Sequence, residues 1–223
     1  MTLTRIDELV RGDYFYLQPA DECWFLREYT ARMGFEHSET NQLIINLKKP
    51  LERRGLPEWK YKQLAEEKIS RELAACLSRP WLEATTLVPT PPCRIESDPG
   101  YDDRLLRILQ ALPASDSLDI RCLVRQLGST EPAHLYEQRE KRRPTPVEIR
   151  SNYRIAREVC DPLPGRICVF DDVLTTGAHF RAMADLLRQE FPGVPVVGLF
   201  VARVIRPLVL EPGTTGGSTP RVG

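Results

Sequence analysis

The sequence predicts an α/β protein: a parallel central sheet built over roughly residues 84–205, with a helical addition over residues 1–80. Three observations lead there. Ile167-Cys168-Val169-Phe170 is apolar at every position, as a strand buried on both faces must be, and it runs into Asp171 and Asp172. Two more β-compatible runs, Thr85–Val88 and Val194–Ile205, are separated from it by segments of helical period. Residues 1–80 instead space their apolar side chains as amphipathic helices do, without strand-like alternation.

Tyr14-Phe15-Tyr16-Leu17 reads as a core-contacting turn or short strand. Asp21 is placed to cap a helix carrying Trp24, Phe25, Tyr29 and Met33, and Ser38 or Thr40 to cap another carrying Leu43, Leu47 and Leu51. A third helix opens at Pro57, carries Trp59, Leu64, Ile69, Leu73 and Leu77, and stops before Pro80. Lys60, Lys62, Glu66, Glu67, Arg71 and Glu72 form its charged side, and Asn41, Asn46 and the Lys48-Lys49 pair read as solvated surface. The region is expected to be a layer packed on the sheet; a subdomain that docks a partner protein or covers the substrate is its functional alternative.

From Ala84 the pattern changes. Thr85-Thr86-Leu87-Val88 is halted by Pro89-Thr90-Pro91-Pro92-Cys93-Arg94, which would lie at the carboxyl edge of the sheet, where open α/β sheets bind ligands. Asp98-Pro99-Gly100 marks a turn, and a helix begins at Tyr101 with Asp102 and Asp103 in its first turn. Leu118–Val124 reads as a strand. Gln126–Thr145, with Glu137, Arg139, Glu140, Lys141, Arg142 and Arg143, has no strong apolar face and reads as a lid, a small basic patch or a solvated loop. Pro146–Arg157 reads as a short helix, Asp161–Gly165 as a turn, and Phe191-Pro192-Gly193 as a stop. Residues 207–223 are too poor in apolar side chains to fold and are expected to be a disordered tail.

Composition narrows the function classes. The 223 residues, 42% hydrophobic, suffice for one α/β domain of ordinary size. Thirty-one basic residues balance 31 acidic ones, so nothing in the bulk charge calls for nucleic acid or an anionic membrane. The six cysteines include no C-x-x-C pair and the three histidines lie far apart, which argues against a disulfide framework or a zinc site. The charged amino terminus and the shortness of the apolar runs predict a cytoplasmic protein without a membrane span.

The chemistry is concentrated after the acids. Val173-Leu174-Thr175-Thr176-Gly177-Ala178 is rich in hydroxyls, and Phe180, Met183, Leu186 and Leu187 then mark a helix. The amino end of such a helix offers free N–H groups and a positive dipole end to an anion, and Gly177 lets the backbone approach closely. Two carboxylates would repel a phosphate, so Asp171 and Asp172 suit neutral hydroxyls, as on a ribose, or a divalent metal. Both reach one ligand only if the strand ends and turns there. A Walker-B reading needs a phosphate loop with Gly-Lys, and that pair does not occur.

The run Val169–Ala178 resembles the phosphoribosyl-pyrophosphate (PRPP) signature of type I phosphoribosyltransferases. That resemblance implies that Asp171 and Asp172 take the ribose hydroxyls, with Mg²⁺ entering on PRPP and the same two acids as its candidate protein contacts. It also implies that Thr175, Thr176, Gly177, Ala178 and His179 take the 5′-phosphate. His179 stands where the family usually has Ser or Thr, facing either inward to the phosphate or outward. Val88-Pro89-Thr90-Pro91 is similar to the family's pyrophosphate loop, which makes Pro89, Thr90, Pro91 and Arg94 the candidates there; a proline-stiffened connection is the plain alternative for Arg94. Order and sequence over residues 84–205 look like the ComF-like subgroup, including Arg150-x-Asn152-Tyr153, one residue shorter than its Arg-x-x-Asn element. The subgroup's amino-terminal cysteine module is absent and its Phe-Asn-Gln is replaced by Tyr101-Asp102-Asp103. The activity implied is phosphoribosyl transfer from Mg²⁺-PRPP to a nitrogen acceptor; the alternative is a non-catalytic PRPP- or nucleotide-sensing or accessory module that docks a partner protein or nucleic acid. A homodimer stays open, and Thr175, where 6-oxopurine members place an aspartate, argues against hypoxanthine or guanine as acceptor.

Overall fold

The computed structural model describes residues 2–131 and 142–206. Its central sheet has five strands in the order β1 (Thr4–Arg5), β2 (Cys23–Thr30), β7 (Val196–Ile205), β6 (Ile167–Leu174) and β3 (Thr86–Pro89). All neighbours are parallel except β1, which runs antiparallel to β2. A small antiparallel pair, β4 (Val124–Gln126) and β5 (Tyr153–Ile155), stands apart from it. Leu118–Val124 is thus not the strand expected there: Ile120 alone bridges Leu87, and the ladder begins at Val124.

Alternate residues of β6 from Ile167 to Phe170 enter two different cores. Ile167 and Val169 join Phe180, Met183 and Leu187 on one face, while Cys168 and Phe170 join Leu43, Leu47, Ile69, Leu73 and Ile108 on the other. The first face is covered by α7 (Ala178–Glu190) with α6 (Pro146–Ser151), and the second by α2 (Glu39–Leu47), α3 (Lys60–Cys76) and α5 (Arg104–Gln110); two short helices, α1 (Glu8–Arg11) and α4 (Arg79–Glu83), complete the chain order. Helices on both faces explain why these strands lack hydrophobic-polar alternation.

That same continuity misleads the reading of the amino-terminal region. Trp24, Phe25 and Tyr29 belong to β2, a strand paired with β7 from Cys23↔Gly198 to Thr30↔Ile205, and not to a capped helix. Cys23 and Phe25 face one core, Trp24 and Leu26 the other, so with both faces buried the period-2 signal vanishes and helical spacing shows by coincidence. Residues 1–80 therefore contribute two strands to the sheet as well as helices. Asp21 caps nothing. Its buried carboxylate holds Arg181 and Arg188 of α7 and accepts from the Gln18 N–H at 2.7 Å.

Other elements follow the pattern. Ser38 caps α2, accepting from the Asn41 N–H at 3.0 Å, and the 3₁₀ turn Pro57–Trp59 leads into α3. Asn41, expected on the surface, is buried and closes the α2–β2 connection by donating to the carbonyls of Thr30 and Met33. Lys62, expected on the solvated side of α3, is fully buried and donates to Leu47 O, Lys49 O and Asp102. Pro146–Ser151 is a helix with a Thr145/Glu148 capping box, but the chain turns extended at Tyr153. Residues 132–141 of the expected lid and the whole tail 207–223 lie outside the described residues. Among those described, no helix is long and apolar enough to cross a membrane.

Candidate functional site

Strand lengths create the site. β3 pairs with β6 only as far as Pro89↔Phe170, while β6 runs on beside β7 to Leu174↔Arg203. From Asp171 onward one edge of β6 is open, and the Thr90 N–H closes the β3 side on Phe170 O at 2.9 Å. The expected turn at the acids is absent. Because the strand continues through both, Asp171 has the parity of Val169 and the α7 face, and Asp172 that of Phe170 and the α2/α5 face.

The two carboxylates consequently meet different surroundings. Asp172 is buried, with Oδ2 at 2.7 Å from Arg104 Nη2 and Oδ1 at 3.0 Å from Lys48 Nζ. Burial opposes its ionisation, but the Lys48 and Arg104 charges outweigh that and hold it well below the usual carboxylate range. Arg104 also meets Asp102 at 3.1 Å, and Asp102 meets Lys62 at 2.8 Å and Arg107 at 3.0 Å, so the cation on Asp172 ends a chain of charges reaching into α3 and α5. Asp171 is half-buried, and its Oδ1 accepts the Asp172 N–H at 2.8 Å. Burial first, and the Asp172 charge second, push this carboxyl above its ordinary range.

Beyond Leu174 the chain enters the loop Thr175–Gly177. Both threonines are half-buried and Gly177 has φ +81, a left-handed conformation that disfavours any side chain. A Cβ at Gly177 would also lie 3.0 Å from Leu17 Cδ2 and 3.4 Å from Leu17 N, because the Tyr14–Leu17 turn packs under the loop and Tyr16 N donates to Thr176 O at 3.0 Å. The 13-residue α7 starts at buried Ala178, and among the described residues no side chain caps it. Its first amides are thereby left for an incoming acceptor.

His179 sits in that first turn, and its Nδ1 is 3.0 Å from the hydroxyl of buried Tyr153 on β5. The segment around Tyr153 also serves the proline loop. Asn152 donates to Gln126 Oε1 at 2.8 Å, and Gln126 Nε2 in turn donates to Pro92 O at 2.6 Å. Thr130 N fastens Cys93 O at 2.7 Å. In the loop itself Thr90 is buried and its Oγ1 has no hydrogen-bond partner among the described residues. An orphaned buried hydroxyl beside an open strand edge suits a ligand oxygen. Arg94 lies 3.7 Å from Asp98, and burial raises the Cys93 thiol pKa against the opposing charges of Arg104 and Arg94.

The structure thus assembles Asp171, Asp172, the Thr175–His179 loop and Thr90 around the end of β6. Sequence reading misses Lys48, Arg104, Tyr153, Gln126 and Asn152 as site residues. Lys48, expected on the solvated surface, reaches Asp172 with its ammonium from the end of α2. No sequence signal pairs residues so far apart, although the basic Arg104 directly after two acids hints at a charge cluster. Among the described residues no three His, Cys, Asp or Glu side chains are grouped to hold a metal ion. With Asp172 engaged by cations and Asp171 Oδ1 by a backbone N–H, the protein offers a metal little beyond one carboxylate oxygen, which fits only an ion carried in by ligand oxyanions. A scan against protein-family models finds no match for this chain, and a search of curated proteins finds none.

Proposed function

We propose that the chain binds a phosphoribosyl compound, Mg²⁺-PRPP or a nucleoside monophosphate, and transfers phosphoribose to a nitrogen acceptor. One observation carries the reading: an acid-bearing strand with an open edge delivers a left-handed glycine loop into an uncapped 13-residue helix. The 5′-phosphate lies on the Thr175–His179 loop, where charge-assisted hydrogen bonds are worth on the order of 1.5–3 kcal/mol each. Asp171 accepts from a ribose hydroxyl, which offsets the cost of its burial. Asp172 acts one step back, fixing Arg104 and Lys48 next to the Pro89–Arg94 loop, the pyrophosphate position. Mg²⁺ arrives on the pyrophosphate.

In the transfer the C1–O bond breaks as the C1–N bond forms; pyrophosphate leaves with the electron pair and the acceptor nitrogen releases its proton. The protein contributes positioning and charge stabilisation. Calorimetric titration of Mg²⁺-PRPP into the wild type and Asp171→Asn should show binding that weakens at least tenfold in the variant, with pyrophosphate release on one member of a nucleobase panel. No wild-type binding at millimolar PRPP sinks the proposal. The commitment of both Asp172 oxygens to cations favours a second reading, a non-catalytic PRPP or nucleotide sensor. It predicts the same binding without pyrophosphate release.

A further inference from the structure

Resting on that reading, we propose that Tyr153 holds His179 as a neutral imidazole whose Nε2–H is the fifth-position donor of the phosphate loop, a donor that stays in place without carrying charge. The family resemblance supplies no such pair; it comes from the contact of a β5 tyrosine with the first turn of α7. Tyr153 is buried, and among the described residues the His179 Nδ1 at 3.0 Å is the polar partner of its hydroxyl. If Nδ1 carried the proton, the phenol would accept that bond and leave its own O–H buried and unpaired. The phenol therefore donates, Nδ1 accepts, and the ring proton resides on Nε2.

The surroundings keep both groups uncharged. Burial, then the Asp171 charge, push the Tyr153 phenol far up, so it remains a donor. Burial pushes the His179 pKa down; Lys48 and Arg143 act in the same sense and Asp172 opposes them. Tyr153 touches the ring, and Asp172, Lys48 and Arg143 act on it through their charges. Where a hydroxyl would rotate freely, the imidazole is clamped from behind, so the donor is pre-oriented. Tyr153 is a positioning residue, acting through His179.

Two-dimensional ¹⁵N–¹H spectroscopy tests this on the full chain, with ribose 5-phosphate as the probe. The expected wild-type pattern at about pH 7 is an unprotonated, hydrogen-bonded Nδ1 and a protonated Nε2, with Nε2 shifting as ribose 5-phosphate is added. Tyr153→Phe should return the ring to a mixture of tautomers. His179→Ala should weaken binding roughly tenfold, and His179→Ser should recover most of it. An imidazolium at neutral pH, a protonated Nδ1, or a tautomer unaffected by Tyr153→Phe overturns the proposal. Binding that leaves the His179 resonances unmoved removes His179 from the site while the phosphoribosyl reading stands. No binding by the wild type overturns that reading and, with it, the ligand assigned to the Nε2–H.

Discussion

Replacing each of the two adjacent aspartates by asparagine should change stability in opposite directions. In Asp171→Asn the amide oxygen can keep the 2.8 Å bond from the Asp172 N–H, and the half-buried –NH₂ is within reach of water. What disappears is a negative charge that burial and Asp172 both disfavour. Each pKa unit by which the fold raises a carboxyl costs about 1.4 kcal/mol once it is ionised. Because Lys48 and Arg104 cancel part of the Asp172 charge, a gain of about 1–2 kcal/mol is expected, or roughly 2–6 °C in Tm for a chain of this size. Asp172→Asn instead strands Arg104 and Lys48. Breaking a buried pair costs about 3–5 kcal/mol, but Lys48 is 42% exposed and Arg104 keeps Asp102 at 3.1 Å, which lowers the expected loss to about 2–3 kcal/mol.

The pH dependence separates the pair further. Asp171 is raised in the fold, so the native state holds its proton longer than the unfolded chain; its penalty is absent below about pH 4 and grows as pH rises through the raised value. Asp172 is depressed, so its contribution is complete above about pH 4 and is lost as pH falls towards the folded value. Urea unfolding monitored by circular dichroism at about pH 8 and about pH 5 reads both. The Asp171→Asn gain should shrink at the lower pH while the Asp172→Asn loss persists. Shifts of one sign in both variants, or an Asp171→Asn gain that does not depend on pH, would refute the division of roles.

Gly177→Ala forces a side chain into φ +81 with its Cβ 3.0 Å from Leu17 Cδ2, and a loss of about 1–3 kcal/mol in urea unfolding is expected. An unchanged midpoint would mean that the loop is not held as described. Gly198→Ala, on β7, puts a Cβ 2.8 Å from Cys23 Sγ and 2.9 Å from Phe200 Cε2. Overpacking of about 1–3 kcal/mol should appear as a lower thermal midpoint, relieved when combined with Cys23→Ala. Lys62→Met deprives Leu47 O and Lys49 O of their buried donor while Asp102 retains Arg104 and Arg107. A loss of about 2–4 kcal/mol by urea unfolding is expected, against no loss if Lys62 were solvated as its sequence position suggests.

Where a segment's own side chains decide its conformation, the sequence was sufficient. Ile167–Phe170 is apolar on every residue because both its faces are covered, Gly177 supplies the left-handed turn, and the period of Phe180, Met183 and Leu187 sets α7 on its core. Ser38 at the start of α2 and the proline halt after β3 were legible for the same reason. The tertiary structure decided whatever depends on which elements are neighbours. β2 became a sheet strand because β7 offered it an edge and both cores had room for its alternate side chains, which no local period expresses. Lys48 and Lys62 left the solvated surface because Asp172 and Asp102 lay opposite them once α2 and α3 had packed on the sheet. Tyr153 met His179 only through the docking of β5 against α7. Periodicity reports the face a residue occupies on its own element; a charge or hydrogen-bond partner across the fold is set by sheet order and helix packing, which one dimension does not contain.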